Sequence, residues 1–326
     1  MSSRMQATSG LAAILLAGWT ALAAAQPFPS KPVRVVVPFP PGGGGDFLAR
    51  LAQERFAAGL GQPVIVENKP GAGGTIGADS VAKAAADGYT VVLGNIGTHA
   101  ISQAVMRKPP YDAVRDFAPV LHATNIVYGV VVGPRLAGVN TLAELIATAR
   151  SRPDGLSFGS GGVGQGPHLG GELLGLQAGV KLVHVPYKGG GPMMTDLLGG
   201  QLDLLVTDLP TVIGQVKKGA LRMLAVTAPI RAEALPDVPT AAEAGLPGLE
   251  MYAWQALFAP AGTPPDAVRR LSEAFAAALR SPEVTERIVT SGAIVVAGGP
   301  DALAEFQRRE IEKWRRVVRE ASIELQ

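Results

Sequence analysis

A valine-rich run, Val33 to Val37, followed by the glycine-rich segment Pro40 to Gly45 and then by an apolar helical periodicity, constrains this chain more than any other feature. A buried strand that opens through a glycine loop into a helix is the unit of a parallel α/β sheet. The unit recurs. Phe47, Leu48, Leu51 and Phe56 mark the apolar side of a first helix that Gly59 and Gly61 end, and Val64 to Glu67 reads as the next strand. Gly71 to Gly77 is a second glycine loop, Ala78 to Ala86 a small-residue helix, and Tyr89 to Leu93 a third strand.

A second series begins at Tyr128. Thr141 and Glu144 have capping-box spacing for a helix from Leu142 to Arg150. Leu156 to Phe158 reads as a strand that opens into Gly159-Ser160-Gly161-Gly162-Val163-Gly164-Gln165-Gly166, with Pro167 suited to the first helical position. Lys181 to Val185, Leu202 to Val206 and Arg222 to Val226 are further strands, whereas Tyr252 to Phe258 and three helical stretches ending near Ala321 lack the strands for a sheet of their own and are expected to return to the first lobe. The expected organisation is residues 1–25 as a signal peptide, 26–125 as the first part of lobe 1, 126–228 as lobe 2 and 229–326 as the returning part of lobe 1. Two connections, near Asn125 to Val130 and near Val226 to Glu233, would then act as a hinge.

The signal peptide reading rests on Arg4 ahead of the apolar stretch Leu11 to Ala25, which ends in Ala23-Ala24-Ala25 before Gln26. Export to the periplasm and cleavage near Ala25 follow from it. A chain of 326 residues exceeds what one hydrophobic core usually serves, so two lobes are expected. With 0 cysteines there is no disulfide, no thiol nucleophile and no thiolate metal site. A net charge of +2 leaves no broad field for nucleic acid, so any anion must be recognised locally. The histidines His99, His122, His168 and His184 are scattered without metal spacing, and no metal or cofactor is expected.

In open parallel sheets ligands lie beyond the carboxyl ends of the strands, where glycine lets backbone N–H groups approach an anion. The two glycine series therefore predict a cleft lined by Gly42 to Gly45 and Gly73-Gly74 on one side and Ser160 to Gly166 on the other. Asp46 either caps its helix or faces that cleft, His168 either faces a ligand or packs, and Asp208 is either a cap or a cleft acceptor. Ser160 has no G-x-S-x-G context and no partnered base visible in the sequence, which speaks against a nucleophile. The charges Arg308, Arg309, Glu310, Glu312, Lys313, Arg315, Arg316, Arg319 and Glu320 read as solvated helix faces, with Ile311 and Trp314 toward the core.

These residues carry a resemblance. Pro29-Ser30-Lys31-Pro32-Val33-Arg34 through Val37-Pro38-Phe39-Pro40-Pro41-Gly42-Gly43 with Asp46 resembles the opening signature of the tripartite tricarboxylate transporter receptors, also called Bug receptors. Gly61-Gln62-Pro63-Val64, Glu67 to Gly74, Ala86 to Thr90, Val185 to Pro192, Asp196 to Gln201, Leu235 to Thr240 and Pro260 to Pro264 are similar to later motifs of the same family, in order along nearly the whole mature chain. The resemblance implies a type II periplasmic binding protein fold, two lobes each with a central mostly parallel sheet, that closes on a small organic carboxylate. It implies no enzymatic activity. Carried over by motif, the ligand residues are Phe39, Pro40, Gly42, Gly43 and Asp46, then Gly73, Gly74, Thr75 and Thr98, and from the second lobe Ser160, Gly161, Gly164, Gln165, His168 and Asp208. Gln165 stands where the family often has a small hydroxyl residue, and Ser102-Gln103 replaces a common Asn-Pro.

The implied ligand is a dicarboxylate, a tricarboxylate, an acidic amino acid, or an aromatic or nicotinate-type acid. The implied partner is a two-component membrane permease served by a monomeric receptor. The alternatives are a ligand sensor that docks on a sensor kinase and, further off, a periplasmic hydrolase.

Overall fold

The computed structural model describes residues 28–325; the expected signal peptide lies outside them. Strand β1 (Val33–Val37) shows why a valine run makes a strand buried on both faces. Val33, Val35 and Val37 join a cluster with Leu48, Phe56, Leu271 and Phe275, while Val36 joins the opposite cluster with Val92, Ile96 and Trp314. Helix α1 (Gly44–Leu60) buries Leu48, Ala52, Phe56 and Leu60, one residue per turn, and ends at Gly61 with φ 72. Its Phe56 ring lies 4.9 Å from Phe275, and burying each such side chain stabilises the fold by about 1.5–3 kcal/mol.

The chain continues through β2 (Val64–Asn68), a 3₁₀ turn at Ala72–Gly74, α2 (Thr75–Ala82), β3 (Thr90–Asn95), a π turn at Gly97–Ile101 and α3 (Ser102–Val105). There follow β4 (Phe117–Val132), α4 (Leu142–Ser151), β5 (Leu156–Ser160), α5 (Gly166–Ala178), β6 (Leu182–Pro186) and α6 (Gly190–Leu198). The last elements are β7 (Leu204–Asp208), α7 (Leu209–Lys217), β8 (Arg222–Val226), β9 (Tyr252–Pro260), α8 (Pro265–Leu279), α9 (Pro282–Thr290), β10 (Ala293–Gly298) and α10 (Pro300–Glu320).

The strand order is β2-β1-β3-β9-β4-β7-β5-β6, with β8 and β10 also paired to β4. The βα repeats form the parallel pairs β1–β2, β1–β3, β5–β6 and β5–β7. Antiparallel strands knit these two parallel groups together, and β4 is the decisive one. Its first part pairs with β9 and β10, and its Tyr128–Val132 part pairs with β7 and β8. The first crossing between the two sheets is therefore a continuous strand where the sequence suggested only a connection. Gly129 follows that boundary but stays paired to Thr207 and Val226, so it does not break the strand or mark where one sheet ends.

The second crossing also differs from expectation. After β8 the Val226 N–H donates to Pro239 O and the Ala241 N–H to Val226 O, while Thr227 Oγ1 donates to Met251 O at 2.8 Å. These bonds keep residues 227–251 with the second sheet, and the chain rejoins the first at Tyr252, beside Val127 of β4. In the second lobe α5 lies very close to the strands. A Cβ on Gly171 would sit 2.1 Å from the Phe158 ring, so only glycine permits that approach.

Helix α10 buries Leu303, Gln307, Ile311, Trp314, Val317 and Val318. One reading of its charges is corrected: Glu310 is 4% exposed, not solvated. Its Oε2 accepts the indole N–H groups of Trp254 at 3.0 Å and Trp314 at 3.1 Å, and Lys313 pairs with its other oxygen. A buried carboxylate is tolerated because every nearby donor is aimed at it.

Candidate functional site

A cavity of about 720 Å³ lies between the two sheets, beyond the carboxyl ends of β3 and β7. Phe39, Gly73, Thr75, Asn95 and Gly97 face it from the first lobe; Gly161, Gly164, Gln165, Gly166, Thr207, Asp208 and Thr211 face it from the second. Four helices of eight or more residues begin at its wall: α2 at Thr75, α5 at Gly166, α6 at Gly190 and α7 after Asp208. The first turns of α2, α5 and α6 carry no side-chain cap, whereas the Asp208 carboxylate already accepts from the Thr211 N–H of α7; unmet N–H groups and the positive ends of three helix dipoles therefore favour an anion in the cavity. No Lys or Arg is among the lining residues, and Asp208 is the one acidic side chain. Ile101, Val105, Met106, Met193 and Ala253 add an apolar portion.

The residues expected from the sequence divide into groups. Phe39, Gly73, Thr75, Gly161, Gly164, Gln165 and Asp208 come together at this cavity. Gly42 and Gly43 line a separate cavity of about 270 Å³ with Gly44, Phe47, Ile126 and Pro210. Pro40 is exposed and lines neither.

Asp46, Gly74, Thr98, Ser160 and His168 are buried behind the lining. Asp46 is not the residue that caps α1, a position held by Gly43. From the first turn its carboxylate reaches back to accept from the Gly42 N–H at 2.9 Å, from Arg50 Nε at 2.8 Å and from Asn68 Nδ2 at 3.0 Å. Burial alone would raise its pKa, but these donors together hold it below the ordinary carboxylate range. Asn68 also donates to Phe39 O at 3.1 Å, so Asp46 and Asn68 fix the loop that presents Phe39. Gly74, with φ +93, fits under that residue: a Cβ there would lie 2.8 Å from Phe39 Cζ and 2.7 Å from Thr98 Cγ2. Thr98 secures the next turn through its hydroxyl, which accepts from the Asn95 N–H at 3.0 Å, while the Asn95 side chain accepts from the Thr98 N–H at 3.0 Å.

In the second lobe Ser160 and His168 hold the Ser160–Gly166 loop from behind. The Ser160 hydroxyl donates to Gly162 O at 2.9 Å, accepts from the Gly162 N–H at 3.1 Å and lies 2.6 Å from His184 Nε2. His168 Nδ1 accepts from the Gly164 N–H at 3.0 Å, and its ring stacks on His184 with centroids 3.8 Å apart. Burial first, and the adjacent His168 second, lower the His184 pKa to about 4. Of the two alternatives for Asp208 the cap is present: Oδ1 accepts from the Thr211 N–H at 3.1 Å and its hydroxyl at 2.6 Å, and the residue also lines the cavity.

The sequence reading missed Tyr128, Asn95, Gly97, Thr207 and Thr211. Asn95 and Thr207 sit at strand ends next to expected elements, which is the signal that could have found them. Tyr128 lies within β4 and carries no such mark. Burial, with Asp208 nearby, pushes its phenol well above the ordinary range, so it stands at the cavity as a neutral hydroxyl. Among the described residues no group of three or more His, Asp or Glu is placed to hold a metal ion, and no helix is long and apolar enough to cross a membrane.

Comparison with known proteins agrees with this geometry. The family model described as "Tripartite tricarboxylate transporter family receptor" matches residues 48–323. Protein BugT of Bordetella pertussis is 38% identical over 96% of this chain and 96% of its own. Among solved structures, MatC from Rhodopseudomonas palustris with bound malate is 36% identical, covers 89% of this chain and 100% of its own, and superposes with a TM-score of 0.74. A second R. palustris protein, solved with adipate, is 38% identical over 92% of this chain and 100% of its own, with a TM-score of 0.78.

Proposed function

The chain belongs to the tripartite tricarboxylate transporter receptor family, and from that premise we propose that it is a periplasmic receptor that closes on a small organic carboxylate and delivers it to a two-component membrane permease. As a member of a receptor family it is a solute-binding protein and not an enzyme. The observation that carries the carboxylate reading is the cavity: three helix N-termini without a side-chain cap meet at a wall without Lys or Arg. Backbone amides can hold one carboxylate without a basic side chain. The volume of about 720 Å³ suits a small molecule, and the relatives solved with malate and adipate support the same class.

The two lobes of this reading are residues 28–127 with 252–325, and residues 128–251. They join at β4 and at Tyr252, two crossings about which the lobes would rotate to enclose the ligand. Ligand binding would fall to Phe39, Gly73 and Thr75 on one side and to Gly161, Gly164, Gln165 and Asp208 on the other. Asp46, Gly74, Thr98, Ser160 and His168 would hold those loops in place.

A thermal-shift screen of residues 26–326 tests the proposal. A carboxylate at about 100 times its dissociation constant should stabilise the fold by about 2.7 kcal/mol. Silence across mono-, di- and tricarboxylates and acidic amino acids, from a folded protein freed of co-purified ligand, would count against it.

A further inference from the structure

On the floor of the cleft, Tyr128 of β4 and Asp208 of β7 are directly opposed in the antiparallel ladder. Opposed residues project from the same face with Cβ atoms about 5 Å apart. Tyr128 is 4% exposed, and its hydroxyl takes no hydrogen-bond partner among the described residues. It is absent from the fully enclosed unpaired atoms, so the oxygen opens into the cavity that the residue lines. The phenol is also aimed: a Cβ on Gly166 would come within 2.5 Å of its oxygen, so the hydroxyl rests against the first residue of α5. A hydroxyl that opens into the cavity without a protein partner is available to donate to a ligand atom there. Beside it, Asp208 uses Oδ1 to cap α7 and keeps Oδ2 without a protein partner.

A neutral donor and a carboxylate acceptor on one face of the same cavity suit a group that accepts and donates at once. That group is a hydroxyl. A carboxylate oxygen placed there would meet the Asp208 charge, while the amides at the helix N-termini nearby favour the carboxylate itself.

We propose that Tyr128, paired with Asp208, is the specificity-determining residue of the cleft, and that it selects hydroxycarboxylates by reading a hydroxyl next to the bound carboxylate. The inference rests on the carboxylate-receptor reading and narrows it. The Tyr128 hydroxyl donates to the ligand hydroxyl, which donates in turn to Asp208 Oδ2. Ligand closure would then be sensed at the strand that joins the lobes, since Tyr128 lies one residue beyond the last position at which β4 pairs with β9.

The test is calorimetry with three pairs of acids that differ by one hydroxyl: malate and succinate, lactate and propionate, mandelate and phenylacetate. The wild type should bind the hydroxy member of at least one pair tenfold or more tightly. Tyr128→Phe, which keeps the ring and its packing, should cut that ratio about tenfold, and Asp208→Asn should cut it as well. Acids bound without a hydroxyl preference, or a ratio that survives in Tyr128→Phe, would overturn the inference and leave the receptor reading intact. Preference for a 2-amino acid over its 2-hydroxy counterpart would overturn it too. Failure of every acid tested to bind would instead strike the receptor reading on which it rests.

Discussion

His184 Nε2 lies 2.6 Å from the Oγ of Ser160, a serine with no exposed surface. A serine beside a histidine invites a catalytic reading, but the hydrogen-bond count opposes it. The Ser160 hydroxyl donates to Gly162 O and accepts from the Gly162 N–H, and the His184 contact fills its remaining position. A serine with no exposed surface, held by Gly162 on one side and His184 on the other, has no path to a substrate carbonyl. The pair is a latch that shapes the Gly161–Gly164 wall of the cleft.

Ser160→Ala should therefore destabilise the protein by about 1–3 kcal/mol, because the Gly162 N–H loses its acceptor and His184 Nε2 loses its partner. Urea unfolding measures this directly. An unchanged midpoint, or an esterase activity that disappears with the substitution, would contradict the latch.

Glu310→Ala should cost about 2–4 kcal/mol, since the indole N–H groups of Trp254 and Trp314 would be left buried without an acceptor. Both tryptophans report on the site, so fluorescence-detected unfolding reads the loss. A change below about 0.5 kcal/mol would show that the network contributes little.

Gly74→Ala should displace the Phe39 ring, because the new Cβ would press on it and the backbone would be held at φ +93. Strain of about 1–3 kcal/mol is expected, together with weaker carboxylate binding. Affinity that stays constant while stability falls would remove Phe39 from the ligand wall.

Acid should weaken the ligand-free fold between about pH 6.5 and 4. Burial, and His168 after it, lower the His184 pKa to about 4. Below 6.5 the unfolded chain therefore takes up a proton that the folded chain refuses, and stability falls until the folded pKa is reached. His99, fully enclosed, has a pKa lowered by burial to about 3 and adds in the same direction. His184→Gln should flatten the slope of stability against pH in that window by close to one proton. An unaltered slope would place the proton uptake elsewhere.

Much of this architecture was legible from local chemistry. Val33–Val37, the helix ended by Gly61 and the Thr141–Glu144 cap all declare themselves through periodicity or capping, and the cap is present, with the Glu144 N–H donating to Thr141 Oγ1 at 3.1 Å. What escaped was long-range. The β10 strand pairs with β4 more than 160 residues away in sequence, and nothing local in Ala293–Gly298 announces that partner. Part of the predicted glycine lining, Gly73 with Gly161 and Gly164, meets at one cavity, while Gly42 to Gly44 line another, and glycine count alone could not tell lining from support. Gly73 lines the cavity while Gly74 is buried behind it, and the difference is set by the Phe39 ring and the Thr98 methyl. Tyr128 was hidden for a similar reason, since its role exists only once Asp208 is paired beside it.

The central claim is that backbone amides at the helix N-termini recognise a carboxylate between the lobes. Calorimetric titration of the tightest-binding acid beside its own primary carboxamide tests it most directly, because the pair shares shape and differs in charge. The account predicts that the acid binds at least a hundredfold more tightly, a difference of about 2.7 kcal/mol, and that its complex is more compact by small-angle scattering. Equal affinity of acid and amide would contradict it, since a site built from positive helix ends cannot be indifferent to the charge it encloses.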